Sequence, residues 1–181
     1  MGPPGSGSLP ALGVADFAPG RDYVAVAFQN GRVFAILHAS DPALPYLPVV
    51  AVDPGDAAVY VFVHGGQEVS RFENLAVGTH EIPDHLVARL LAREYGAGLD
   101  GVRVRMCTCY GNMVRPGEAR SVVGRLAGLL PNAAVEAYHG LVYLDVAARP
   151  ATITLGDRLA WDPLSGPYQI GPPGPWERVN P

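Results

Sequence analysis

The hydrophobic pattern alternates between short apolar runs and longer segments with helical spacing. Residues 59–63 (VYVFV) form a continuous run of β-branched and aromatic residues, which is typical of a strand buried on both faces. Residues 102–106 form the next strand-like run. Between them, four apolar residues recur at the spacing of a helix that begins near Pro83 and ends at Gly96. They are Leu86, Val87, Leu90 and Leu91.

The pattern then predicts a second helix, opened by Pro116 and ended by Pro131. Its predicted buried face consists of Val122, Val123, Leu126, Leu129 and Leu130. Residues 134–137 and 141–146 follow as strands. Because right-handed crossovers pack helices onto a sheet, the order strand, helix, strand, helix, strand predicts a parallel sheet.

Hairpins are predicted at both ends of the chain. Residues 23–28 and 33–38 flank Asn30-Gly31, a strong hairpin signal. Residues 153–155 and 158–161 are predicted to pair across Gly156-Asp157, and residues 49–52 to form a short strand. We therefore predict an α/β fold with a mostly parallel central sheet, flanking helices and peripheral β-hairpins. Residues 1–20 are interpreted as a flexible N-terminal lead or linker, and residues 21–181 as a single domain.

Composition narrows the functional classes. The chain has 181 residues, 49% hydrophobic and 17% charged, which suits one compact domain. No apolar run approaches the roughly 20 residues of a membrane span. The net charge is −4 and no basic stripe is present, which disfavours nucleic-acid binding. All 13 basic residues are arginine, so no lysine can act as a base or Schiff-base former.

Candidate chemistry lies where the two apolar strands end. His64 with Gly65 and Gly66 follows the first strand, while Cys107 and Cys109, the chain's two cysteines, follow the second. The carboxyl ends of parallel strands share one edge of the sheet, where ligands bind. A thiol beside an imidazole can form a nucleophile–base pair, and glycine backbone N–H groups can stabilise an oxyanion.

Strand register separates the two cysteines. A strand over residues 102–106 places Cys107 at its end and Cys109 in the following turn, nearer the open edge, so Cys109 is the preferred nucleophile. Cys107, Tyr110, Asn112 and Glu68 are candidate neighbours of this site.

Two other interpretations compete with the dyad. His64 and the cysteines would serve equally as a hydrogen-bonded histidine and small core residues, since free cysteine is often buried. A zinc site built from C-x-C with His64, His80 or His85 is disfavoured because the spacing matches no standard ligand pattern. We expect no metal and no cofactor.

The segments VYVFVHGG and VRVRMCTCYGN resemble the caspase-like cysteine peptidases, in their self-processing bacterial toxin and CHAT-type branches. The next segment, ARSVVGRLAGLLPNAAVEAYHGLVYLD, is similar to the region after the cysteine in C-terminal domains of bacterial polymorphic toxins. The end, GPPGPWERVNP, resembles the Gly-x-Trp-x-x-x-x-Pro close of such domains. The resemblance covers roughly half of the chain with short motifs.

The resemblance implies Cys109 as nucleophile and His64 as base or orienting group in a thiol hydrolase, with a protein or peptide as substrate. It further implies a toxin or effector domain of a larger secreted protein, acting in a target-cell cytosol and paired with a cognate immunity protein. The chain departs from the family at Cys109-Tyr110-Gly111-Asn112, where Cys-x-Thr-Gly is usual, and at Gln67-Glu68. A toxin of other chemistry, or a non-catalytic interaction module on the same fold, remains the alternative.

Overall fold

The computed structural model describes residues 23–65, 75–78, 80–114, 117–156, 158–162, 166–170 and 175–181. The predicted N-terminal lead, residues 1–20, lies outside these ranges. The elements in chain order are β1 (Val24–Phe28), β2 (Val33–Leu37), β3 (Val59–Phe62), β4 (Ala76–Val77), β5 (His80–Glu81), α1 (Asp84–Tyr95), β6 (Arg103–Cys107), α2 (Val122–Ala127), β7 (Ala134–Ala137), β8 (Leu141–Asp145), β9 (Thr152–Gly156), β10 (Arg158–Asp162), β11 (Gly166–Ile170) and β12 (Glu177–Arg178). Short 3₁₀ helices lie at Gln29–Gly31, Leu44–Val49 and Gly96–Leu99.

A six-stranded sheet in the order β1-β2-β3-β6-β7-β12 forms the centre of the fold. The four inner strands run parallel, while β1 and β12 pair antiparallel at the two edges. The mixed, mostly parallel sheet and its helices confirm the α/β class. The predicted hairpin of β1 and β2 and the strand, helix, strand, helix, strand order are confirmed as well.

The two faces of the sheet have different covers, and alternate strand residues point to each. Val61, Val104 and Met106 are buried on the face covered by α1 and α2. Tyr60 and Phe62 are buried on the other face, together with residues of the 3₁₀ helix Leu44–Val49. Hydrophobic residues of β8 and β9, which pair with each other, pack on that second face. No helix in the described ranges is both long and apolar enough to cross a membrane.

The first helix has the predicted bounds, with Pro83 before its first turn and Gly96 as its C-cap. The second helix is shorter than predicted, because it begins after Ser121 and Gly128 ends it. The chain then tightens, with the Leu129 N–H donating to Leu126 O at 2.9 Å. Leu129 lies beyond the end of the helix and is 48% exposed, so its predicted burial was wrong.

Two predicted strand assignments were also wrong. Residues 49–52 do not form the predicted strand. Val49 ends the 3₁₀ helix Leu44–Val49, and Ala51 contributes only an isolated bridge to Thr152. The late hairpin does not join β9 to β10, because β9 pairs with β8 and β10 pairs with β11. A hydrophobic pattern identifies a strand but not its partner, so two adjacent strands can each pair elsewhere.

Candidate functional site

His64 follows β3 at the carboxyl edge of the sheet and is held by a carboxylate. Its Nε2 lies 2.6 Å from Oδ2 of Asp41, which belongs to the segment after β2. The His64 side chain is 46% exposed, whereas the Asp41 side chain is 8% exposed. The imidazole is therefore oriented from its protected side and open to solvent on the other.

Asp41 is ionised more readily than an ordinary aspartate. Burial opposes its ionisation, but the hydrogen bond with His64 and the Ala43 N–H bond outweigh that cost. The positive potential of His64 and His38 acts in the same direction, so the pKa of Asp41 lies below its ordinary value. His38 is itself hydrogen-bonded, with its Nδ1 2.7 Å from Oγ of Ser40. Both histidines therefore favour the ionised form of the Asp41 carboxyl.

Cys109 lies in the turn after β6 and is mostly enclosed. Its thiol donates to the carbonyl oxygen of Val142 in β8, at 3.2 Å. Burial raises the pKa of the Cys109 thiol above its ordinary value, so the thiol carries its proton in the resting protein. Only the protonated form can donate the bond to Val142.

Cys107 is the last residue of β6 and points into the packed face opposite the helices. It is 7% exposed, and burial raises its pKa as well. Of the two cysteines, Cys109 is the one at the surface edge, although its exposure is intermediate.

The His64 and Cys109 segments lie side by side. Phe62 and Cys107 are the last paired residues of β3 and β6, and His64 and Cys109 each follow two residues later. At Gly65, a Cβ atom would lie 2.2 Å from Cγ2 of Thr108 and 2.8 Å from the Cys109 carbonyl oxygen. Only glycine allows this approach. Within the described ranges the Cys109 thiol makes no hydrogen bond to His64.

Backbone donors complete the site. In the part of the chain that the structure describes, neither the Cys109 N–H nor the Gly65 N–H donates a hydrogen bond. The next residue, Tyr110, has a left-handed φ of 54° and is buried. Its N–H donates to Gly140 O at 2.7 Å, which fixes the turn against the loop after β7. A left-handed non-glycine residue is costly, so the surrounding contacts must hold this turn.

The other predicted neighbours are dispersed. The side-chain amide of Asn112 donates to Glu177 Oε1 at 3.2 Å. Gly66 and Glu68 lie outside the described residues. His85 is exposed on the first turn of α1. No group of three or more His, Cys, Asp or Glu side chains within the described ranges is arranged to hold a metal ion.

The sequence analysis missed Asp41 and Glu177. Asp41 follows β2 as His64 follows β3, so its place at a carboxyl edge was a usable signal. Glu177 had no signal, since nothing in the pattern places β12 beside β7.

Comparisons with protein-family models, curated proteins and solved structures found no match to this chain. The function of the protein must therefore be inferred from the geometry of the site and from the resemblance of its motifs.

Proposed function

We propose that the protein is a peptidase-like thiol hydrolase of caspase-like architecture, with Cys109 as nucleophile and His64 as base. The observation that carries this proposal is the imidazole of His64, oriented by Asp41 at 2.6 Å on the sheet edge that also bears Cys109. An imidazole oriented by a carboxylate is the arrangement a general base requires. We further propose, on the motif resemblance alone, a toxin or effector domain of a secreted protein that acts in a target-cell cytosol.

In the proposed reaction the Cys109 sulfur attacks the carbonyl carbon of a peptide or related acyl substrate. Its proton passes to His64, and the carbonyl electron pair moves onto oxygen to form a tetrahedral oxyanion. The oxyanion receives hydrogen bonds from the N–H groups of Cys109 and Gly65, neither of which donates to another group within the described ranges. The intermediate collapses as His64 returns the proton to the departing amine. Water then hydrolyses the thioester, with His64 again as base.

The proposal requires one movement. Because the resting thiol donates to Val142, the Cys109 side chain must rotate away from that carbonyl before its proton can reach His64. Substrate that occupies the edge and accepts hydrogen bonds from the turn would favour this rotation.

Expression of the wild type and three variants in a susceptible host tests the proposal. We expect Cys109→Ala and His64→Ala to abolish growth inhibition, while Cys107→Ala, the matched thiol control two residues away, retains it. Equal inhibition by all four proteins would eliminate the thiol mechanism. Co-expression of a cognate immunity protein should suppress the inhibition by the active forms.

A second candidate function is a non-catalytic interaction module. It is favoured by the raised pKa values of both thiols and by the hydrogen bond from Cys109 to Val142 in place of His64. A peptide carrying an acyloxymethyl ketone distinguishes the two functions. The hydrolase is labelled at Cys109 in a His64-dependent manner, whereas a binding module is labelled no faster than its unfolded chain.

A further inference from the structure

Glu177 connects two loops at the carboxyl edge of the sheet. Its Oε1 accepts from Asn112 Nδ2 at 3.2 Å, and its Oε2 lies 2.9 Å from His139 Nδ1. Glu177 belongs to β12, where it pairs with Ala137 of β7. One carboxylate thus joins the loop after β6 to the loop after β7.

Asn112 is the last residue of the turn that contains Cys109. The Asn112 N–H donates to Tyr138 O at 2.9 Å, and the Gly111 N–H donates to Thr108 O at 3.2 Å. Asn112 Oδ1 is also 3.5 Å from Oγ of Ser121, the N-cap of α2. The Asn112 side chain therefore reaches Glu177 on one side and the start of a helix on the other.

The neighbours of Glu177 anchor its strand independently. Val179 is 3% exposed and its N–H donates to Val135 O at 3.0 Å. On the other side, the Trp176 ring packs edge-on against Tyr60, with centroids 6.4 Å apart. The Arg105 guanidinium lies 5.8 Å from the same Trp176 ring. These contacts fix the backbone that presents Glu177.

We propose that Glu177 is a positioning residue for the Cys109 turn, acting through Asn112 and braced by His139. This inference rests on the proposed function, since it assigns Glu177 to the site that performs it. Glu177 acts on Cys109 indirectly, because its carboxylate contacts Asn112 rather than the thiol. By holding the end of the turn, it keeps the Cys109 N–H and thiol in register with the His64 segment.

The chemistry of the side chain explains why a carboxylate suits this place. A carboxylate accepts on both oxygens at once, so it can receive an amide N–H and an imidazole N–H together. Glutamine would keep the oxygen acceptor for Asn112 but present its amide NH₂, a donor, to His139. Alanine would remove both bonds.

The test measures alkylation of Cys109 in the full chain, resolved from Cys107 by tandem mass spectrometry, from pH 6 to pH 10 (roughly the range over which thiols titrate). The variants are Glu177→Ala, Glu177→Gln, Asn112→Ala and the Glu177→Ala/Asn112→Ala pair. Arg178→Ala, an exposed residue on the same strand, is the matched control. Thermal unfolding of each protein checks that it folds.

We expect Glu177→Ala and Asn112→Ala each to change the Cys109 alkylation rate several-fold and to shift its pH profile. We expect the double variant to do no more than either alone, since residues in one network are not additive. Glu177→Gln should give a smaller change, and Arg178→Ala none. Hydrolysis should fall about tenfold or more in the alanine variants, since small misplacements near a reacting group are costly.

A Glu177→Ala protein that alkylates like Arg178→Ala overturns the positioning role. If Glu177→Ala does not fold, Asn112→Ala answers the same question from the other end of the bond. The outcomes stay separate from the proposed function, because full growth inhibition by Cys109→Ala removes the hydrolase while the alkylation profile of the wild type and the Glu177 variants still tests the position of the turn.

Discussion

Asp41 and His64 join the ends of two neighbouring parallel strands through one short contact, 2.6 Å between Oδ2 and Nε2. The carboxylate is shielded and the imidazole is half exposed. Because Nε2 is occupied by Asp41, Nδ1 is the ring nitrogen left to exchange a proton. The orientation of the His64 imidazole is therefore set by the fold itself.

Replacement of Asp41 by asparagine should lower hydrolytic turnover by about 10²- to 10⁴-fold, the range that a general base contributes. The amide keeps the shape of the contact but neither orients the imidazole as a carboxylate does nor stabilises its protonated form. Steady-state kinetics on a peptide substrate measure the effect, with Asp100→Asn at an exposed site as control. Wild-type turnover in Asp41→Asn would show that His64 needs no carboxylate.

The effect of Asp41→Asn on the free energy of unfolding should also depend on pH in the acid range. Because the pKa of Asp41 is lowered in the folded protein, its carboxylate adds stability above the ordinary value of 3.8, and this is lost as pH falls through the folded pKa. The difference in free energy of unfolding between wild type and Asp41→Asn should thus be largest near neutrality and shrink below about pH 4. Urea denaturation at neutral pH and at pH ~3 measures it, and a difference that grows in acid would contradict the assignment.

The thiols should titrate above their ordinary value of 9.0, since burial raises the pKa of both. Alkylation of Cys109 in a Cys107→Ala background should keep rising beyond that pH, whereas the urea-unfolded chain should level off near it. By linkage, the stability due to the neutral thiols is present below the unfolded pKa and lost as pH rises through the raised values. A plateau below neutrality would instead indicate a resting thiolate–imidazolium pair.

Gly65→Ala should destabilise the protein by about 1–3 kcal/mol, the usual cost of forcing atoms into a packed site. Its Cβ would lie 2.2 Å from Thr108 Cγ2, so the His64 and Cys109 segments would have to separate. Gly98→Ala is the control, because a Cβ there meets nothing within 4 Å. Equal denaturation midpoints for the two variants would mean that the strand ends are further apart than described.

Leu126→Ala and Leu129→Ala form a matched pair on the second helix and its exit. Leu126 is fully buried against the sheet and Leu129 is 48% exposed. The first substitution should cost about 2–5 kcal/mol of unfolding free energy and the second at most about 0.5 kcal/mol. Chemical denaturation of both variants measures the contrast. A large loss of unfolding free energy in Leu129→Ala would support the longer amphipathic helix that the spacing predicted.

Part of the central sheet was predictable because β2 and β3 are wholly apolar and the first helix is bounded by Pro83 and Gly96. Both signals are local. The pairing of β9 with β8 instead of β10 was not predictable, since any exposed strand edge can accept several partners. The exposure of Leu129 was not predictable from the hydrophobic spacing, because the helix ends at Gly128, before that residue.

His64 and Cys109 were placed on one edge by counting along parallel strands, a rule that needs only the order of elements. Asp41 and Glu177 belong to the candidate site because each contacts a side chain that is distant in sequence, His64 and Asn112 respectively. Such contacts depend on loop conformation, which hydrophobic periodicity does not determine. The positions of His64 and Cys109 could thus be predicted from the sequence, whereas the supporting carboxylates of Asp41 and Glu177 could not.

The parallel pairing of β2, β3 and β6 has a consequence for how the protein folds. Each pairing closes a long excursion of the chain, so the segments that carry Asp41, His64 and Cys109 reach one edge of the sheet only after several non-local contacts have formed. A folding intermediate with one of these strands detached would carry all three side chains without bringing them to that edge. If the protein has the proposed activity, its appearance during refolding would therefore report the completion of the sheet.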